Sequence, residues 1–479
     1  MRNNELQTEN VWLFFEEITK VPRPSKKEEQ IRAYLVDFAV KYNLSYKIDN
    51  AGNILINKPA TKGMEDRPSV LLQCHMDMVC EKDSDVEHNF ETDPIQTYID
   101  GDWMKAKGTT LGADNGAGMA AALAVLASET IPHSRLEALF TVDEETGLTG
   151  AAALEKDFFQ SKILLNLDGE EGIYVGCAGG IDTRAQFAYD RADLSNGLFF
   201  FRIRVSGLKG GHSGDDINKG YANAIQLLTR FLWLIKSKYG IALSEISGGN
   251  LHNAIPREAS AYAGIPFRDK ENLRIELNHY IADLENEYQS TEPNLRIELD
   301  SEDVPDYCID QQVADNLLAC LYSCPNGVIS MSRELHGLVE TSTNLASVKQ
   351  KNDHIEVVTS QRSAIESSKY DIAYRLEALF KMAGANVSHG EGYPGWQPDL
   401  ESYLVKKASD TYRSLFHEEP DIRAVHAGLE CGLFLKKYPG LQMISFGPTI
   451  LGAHSPEERL SISSMEKFWK HLLEILRTI

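Results

Sequence analysis

Short apolar runs that end abruptly in charged residues dominate the first third of the chain. Val70, Leu71 and Leu72 lead through Gln73 and Cys74 to His75 and Asp77. A run without polar alternation predicts a strand buried on both faces of a sheet. Leu136–Val142 is a second such run and stops at Asp143-Glu144-Glu145; Ile163–Leu167 is a third and stops at Asp168. Met443–Phe446 near the other end is a fourth, followed by GPTILGAHSPEERLSI with His454. Between these runs the period becomes helical. Val11, Trp12, Phe14, Phe15 and Ile18 predict a helix closed by Pro22 and Pro24. Ser25-Lys-Lys-Glu28 reads as a capping box opening a helix through Ile31, Leu35 and Phe38. Asp49–Gly52 is a turn signal between strands at Tyr46–Ile48 and Asn53–Ile56. In Leu111–Ser128 the second half is strongly helical, with small residues that allow close packing. Strands alternating with helices predict an α/β fold with a doubly wound, mostly parallel sheet.

The pattern changes between about Ala185 and Gly395. Phe199–Val205 alternates as a half-buried strand does, Gly207–Gly214 is a glycine-rich turn, and Ala222–Tyr239 is a long amphipathic helix. A strand at Ser260–Pro266 and a helix around Leu273–Tyr288 follow, and a similar succession recurs from His354 to Met382. This reads as an inserted α+β region in which the succession of elements allows two similar halves, although no sequence repeat links them. The expected organisation is residues 1–185 with 396–479 as one domain and 186–395 as the insertion.

In open α/β sheets ligands bind at the carboxyl ends of the strands, which is where the charged residues fall. His75 and Asp77, two apart on a strand, point the same way, so His75 can bind a metal while Asp77 holds its far nitrogen. Taken alone, the pair is equally a satisfied polar strand end. Asp114 precedes its helix, where an N-cap role also suits it. Adjacent acids such as Asp143, Glu144 and Glu145 raise one another's pKa unless cations or solvent intervene, and a solvated acidic turn is the plainer account. The recurrence of such groups at corresponding strand ends favours a shared site.

Composition narrows the partners. The 479 residues carry 48 Lys and Arg against 70 Asp and Glu, a net charge of −22 that disfavours nucleic acid and anionic membranes. Seven cysteines without a CxxC pair indicate neither a disulfide framework nor a zinc knuckle, and suit a reducing compartment. MRNNELQTENV lacks the apolar core of a signal peptide, and no apolar run approaches the ~20 residues that span a bilayer, so a cytoplasmic protein is expected.

The motifs His75-Met-Asp77, Gly112-Ala-Asp114-Asn115, Asp143-Glu144-Glu145-Thr-Gly147 and Ala453-His454-Ser455 resemble, in type and order, those of the M20 family of dinuclear zinc peptidases. VPRPS at Val21–Ser25, GGHSGDDI at Gly210–Ile217 and HAGLECG at His426–Gly432 resemble the family's Xaa-His dipeptidase subgroup. The resemblance covers nearly the whole chain. It implies one metal between His75, Asp114 and Asp168, and a second between Asp114, Glu145 and His454, with Asp114 bridging. Two imidazoles and three carboxylates suit two Zn²⁺ per subunit, with Co²⁺ or Mn²⁺ as alternatives. It implies Glu144 as general base, Asp77 as the residue that orients His75, and a cis peptide between Asp114 and Asn115. The inserted region resembles the family's lid and dimerisation domain, which implies a homodimer. There His212 would stabilise the tetrahedral intermediate, although a plain turn histidine fits GLKGGHSG as well. Asn253 and Arg362 would hold the substrate's free carboxylate, unless Arg362 only pairs with Glu366. Gly428 would line the pocket, or simply make a turn. The implied reaction is hydrolysis of small unblocked dipeptides, Xaa-His among them; an aminotripeptidase or an acyl-amino-acid deacylase would use the same metals.

Overall fold

The computed structural model describes residues 8–194 and 196–479; the polar N-terminal stretch 1–7 considered above lies outside the described residues. The chain forms two compact units. The first runs to Gly176 and takes up again as Trp396–Ala424 and Leu429–Ile479; the second is Cys177–Gly395 with Val425–Gly428.

The first unit is built on an eight-stranded sheet. Its order is Ser45–Ile48, Ile54–Lys58, Leu136–Thr141, Val70–His75, Ile163–Asn166, Gln442–Ser445, Ile173–Cys177 and Ile422–Val425. The four apolar runs read from the sequence are its centre. Val70–His75 lies parallel to Leu136–Thr141 on one side and Ile163–Asn166 on the other, and Gln442–Ser445 is parallel to the latter. Every residue of the first three is buried, as helices on both faces of a parallel sheet require. The other strands differ: Ser45–Ile48, Ile54–Lys58 and Leu136–Thr141 succeed one another antiparallel, and Ile173–Cys177 meets its neighbour antiparallel. The sheet is therefore mixed, with a parallel centre. Register decides where the site falls. Val70 pairs with both Leu136 and Ile163, so the three runs start level and release His75, Asp143 and Asp168 at one edge.

Two local expectations fare differently. Helix Ala113–Ala127 buries its alanines and glycines up to Ala124 and packs on Glu9–Thr19. The capping box does not form: helix Glu29–Lys41 starts without a side-chain cap. Ser25 Oγ donates instead to Asp77 Oδ2 at 2.8 Å, and Glu28 Oε1 accepts from the backbone N–H of Lys26 and of Asp143 at 2.7 and 3.1 Å. Both side chains are drawn from the helix end to the loops that shape the site.

The second unit carries a nine-stranded sheet that is antiparallel throughout among the described residues. Leu198–Ser206, Ala242–Gly248, Ala259–Pro266 and Arg296–Ser301 form one half; Gly179–Ala188, Val339–Gln350, His354–Ser363 and Asn386–His389 form most of the other. The two halves are joined in the sheet by the antiparallel pairs Ser247–Lys349 and Gly248–Val348. Helices Ala224–Tyr239, Lys270–Tyr288, Gln311–Ser323 and Glu366–Met382 close the core with Leu228, Phe231, Leu277, Leu317, Leu376 and Phe380. Among the described residues no helix is long and apolar enough to cross a membrane.

Candidate metal centre

At the carboxyl ends of the central strands, five side chains from distant parts of the sequence converge. His75 Nε2 lies 3.0 Å from Asp114 Oδ1 and 3.4 Å from Asp168 Oδ1. His454 Nε2 lies 3.3 Å from Asp114 Oδ2 and 3.1 Å from Glu145 Oε2. Asp114 thus presents one oxygen to each imidazole. The peptide between Asp114 and Asn115 is cis. Asp77 stands behind: its Oδ1 is 3.3 Å from His75 Nδ1, and its carboxylate accepts from the backbone N–H of Glu144 at 3.0 Å and of Glu145 at 3.3 Å. One buried carboxylate therefore ties the His75 ring to the turn that carries Glu144 and Glu145. A cavity of about 120 Å³ opens beside Asp114, Asn115 and Asp168.

The electrostatics show what such a cluster favours. Burial disfavours a charged His75, yet Asp168, Asp114 and Asp77 outweigh it and raise its pKa well above the ordinary value. Hydrogen bonds to Asp114 and Glu145 raise the half-exposed His454 to about 10, against a smaller opposing effect of desolvation. Burial raises Asp168 to about 6, and it drives Glu144 well up with the help of Asp168, Glu430 and Glu145. Negative charge is concentrated enough here to favour a bound cation. Glu145 Oε1 is buried and has no hydrogen-bond partner among the described residues. Two imidazole nitrogens, converging carboxylates and an orphaned buried oxygen fit a divalent cation of zinc type.

Groups that the sequence did not reveal hold this arrangement. The Glu458 carboxylate accepts four backbone N–H bonds: Leu111 and Gly112 at 2.7 and 2.9 Å on one oxygen, Ala113 and Asp114 at 2.8 and 3.2 Å on the other. Arg23, fully buried, donates to the carbonyls of Asp77 at 2.7 Å, Met76 at 3.2 Å and Gly112. Asn115 Nδ2 donates to Leu167 O at 3.0 Å and to Asp168. Deeper, Glu430 accepts from Gln73 at 2.6 Å and Thr141 at 2.9 Å, and burial raises it to about 7. Arg23 and Glu458 lie in the noted VPRPS and HSPEERL stretches, but nothing in residue type sets them apart there.

In the second unit, the four residues nominated for substrate contact form one neighbourhood. Arg362 Nη2 is 3.4 Å from His212 Nε2, and the N–H of Ser213 donates to Asn253 O at 2.8 Å. Gly428 lies against Tyr393, whose hydroxyl accepts from Arg362 Nη1 at 2.8 Å. His212 Nδ1 faces Asp215 Oδ2 at 3.1 Å. Glu366 is not the partner of Arg362; it is engaged by Lys369 at 2.9 Å.

Residues 71–478 match the profile of Peptidase family M20/M25/M40. The chain belongs to that family. It is 44% identical over 478 residues to the cytosol non-specific dipeptidase of Escherichia coli, covering 99% of each protein. The crystal structure of aminoacylhistidine dipeptidase from Vibrio alginolyticus matches with a TM-score of 0.90 at 41% identity, over 98% of this chain and 96% of that one. A tripeptidase from Staphylococcus aureus shares the fold at 16% identity, with a TM-score of 0.58 over 98% of each chain. Members of the M20 family depend on metal, in keeping with the donors gathered around Asp114.

Proposed function

We propose that this chain is a metal-dependent dipeptidase that hydrolyses small unblocked dipeptides, Xaa-His dipeptides among them. The convergence of His75, Asp114, Glu145, Asp168 and His454 carries this reading, in a chain 44% identical to a dipeptidase over nearly its full length. One cation would sit between His75, Asp114 and Asp168, a second between Asp114, Glu145 and His454, and two Zn²⁺ per subunit is the proposed content. When bound, the cations supply an activated water at neutral pH and polarise the scissile carbonyl.

The chain's own groups do the rest. Asp77 fixes the His75 ring through Nδ1 and leaves Nε2 free to ligate. Glu144, next to a ligand but outside the ligand set, accepts a proton from the attacking water and delivers it to the leaving amine nitrogen. His212 donates to the oxyanion that develops on the carbonyl oxygen. Arg362 and Asn253 take the free C-terminal carboxylate. In support, Arg362 is only 6% exposed, its Nε has no partner, and no carboxylate lies within ion-pair range among the described residues. A buried guanidinium in that condition is a receptor for an anion. Gly428 would border the same pocket.

The name of the E. coli relative supports a cytoplasmic location. The resemblance to M20 lid domains extends the proposal to a homodimer formed through the second unit, which sedimentation velocity checks. The deciding experiment is a hydrolysis screen of the metal-reconstituted protein against free dipeptides, β-alanyl-histidine included, tripeptides and N-acylated amino acids. Rapid cleavage of free Xaa-His dipeptides is expected. Cleavage confined to tripeptides or acylated amino acids would replace this reading with an aminotripeptidase or a deacylase.

A further inference from the structure

We propose that Tyr393 is the positioning residue that aims the Arg362 guanidinium, and that Gly180 and Gly428 are glycines because the Tyr393 ring occupies the space of their side chains. The inference rests on Arg362 being the carboxylate anchor.

The backbone sets the stage. Across the ladder between Gly179–Ala188 and His354–Ser363, Gly180 stands opposite Arg362. Tyr393 is stitched to that same glycine by two backbone bonds: its N–H donates to Gly180 O at 2.8 Å, and Gly180 N–H donates to Tyr393 O at 3.0 Å. Lys369 Nζ adds a third bond to Tyr393 O at 2.7 Å. The main chain of Tyr393 is therefore fixed before its side chain is considered.

The side chain then has one place to go. A Cβ on Gly180 would lie 2.6 Å from Tyr393 Cζ and 2.7 Å from its hydroxyl oxygen; a Cβ on Gly428 would lie 2.8 Å from Cε2. Neither glycine needs a left-handed backbone, so space rather than φ explains both. Held between them, the ring presents its hydroxyl to Arg362 Nη1 at 2.8 Å. Burial raises the Tyr393 pKa, which keeps the hydroxyl neutral. A neutral acceptor steers the guanidinium and leaves its charge uncancelled, as a carboxylate in the same place would not. Gly428 thereby acquires a role other than lining the substrate pocket: it makes room for the ring that directs the arginine.

The test uses the metal-loaded protein and pairs of dipeptides with free and amidated C-termini. Tyr393→Phe removes one oxygen and keeps the ring. It is expected to raise KM for free dipeptides about tenfold, the scale of one hydrogen bond to a charged group, with a far smaller effect on the amides. Gly428→Ala, which displaces the ring, should do the same in the same direction, and adding Arg362→Ala to Tyr393→Phe should cost little more than Arg362→Ala alone. If Arg362→Ala selectively weakens free dipeptides while Tyr393→Phe leaves their KM unchanged, or weakens free and amidated substrates equally, the positioning role is overturned and the anchor stands. If Arg362→Ala itself shows no such selectivity, the anchor reading fails, and the Tyr393 role fails with it.

Discussion

Glu144 and Glu145 are neighbours in sequence with different proposed roles, and Asp77 holds the turn that carries both. Because Asp77 holds the N–H of both, the turn is fixed, with Glu145 Oε2 directed at His454. Glu144→Gln keeps shape and removes only the proposed proton acceptor. It should lower kcat by ~10²–10⁴-fold while metal content by elemental analysis stays at the wild-type value. Loss of a metal would mean the two roles are exchanged. Glu458 acts on Asp114 from behind. An amide at that position would turn an NH₂ toward backbone donors that now share two carboxylate oxygens. Glu458→Gln is therefore expected to weaken metal affinity ~10–100-fold in competition with a chelator, the usual cost of losing a group that orients a ligand. Unchanged affinity would show that Asp114 is held by other means.

At the scale of elements, what the sequence disclosed follows from how each element is buried. Strands covered on both faces must be apolar throughout, so Val70–His75, Leu136–Thr141 and Ile163–Asn166 stood out, and the polar residue ending each marked the site. Asp114 was visible because a helix start is. Arg23 and Glu458 were not, because their work is done on backbone carbonyls and amides of other segments, which leave no pattern in residue type. Ser25 and Glu28 carry a capping-box spacing but spend their oxygens on Asp77 and the Asp143 amide, a tertiary competition invisible to local reading. The antiparallel outer strands were equally hidden, since parallel and antiparallel pairing differ in partner rather than in composition. Helix Ala113–Ala127 supplies a prediction at this scale. Gly to Ala inside a helix ordinarily gains about 1 kcal/mol. At Gly118, however, an added Cβ would collide with Leu167 O and Asn115 Oδ1, disturbing the Asn115 side chain whose Nδ2 donates to both Leu167 O and Asp168. Gly118→Ala should instead cost ~1–3 kcal/mol, read as a lowered Tm, and a raised Tm would refute the close approach.

At the scale of the whole molecule, the first unit contains a histidine whose proton uptake opposes the fold. His471 is 4% exposed. Its Nε2 lies 2.9 Å from Ala408 O and 3.2 Å from Thr411 Oγ1, and the rings of Tyr412, Phe416 and Phe446 surround it. Burial lowers its pKa to about 4. His426 in the second unit, bonded through Nε2 to Ser342 Oγ at 2.7 Å, is lowered to about 4 by burial and by Arg362. Each is neutral when folded and titrates near 6.5 when unfolded. Between these values the unfolded chain binds more protons, so stability falls as the pH drops from about 6.5 to 4 and is insensitive to either group above 7. The loss amounts to ~3 kcal/mol for each at the acid end. Other acid-linked losses, metal release among them, are common to wild type and a single variant and cancel in the comparison. His471→Gln, whatever it costs at pH 7, should therefore show a smaller drop in Tm between pH 7 and pH 4.5 than wild type by calorimetry. Parallel curves for the two proteins would mean that His471 takes up no proton on unfolding and is not held neutral by its surroundings.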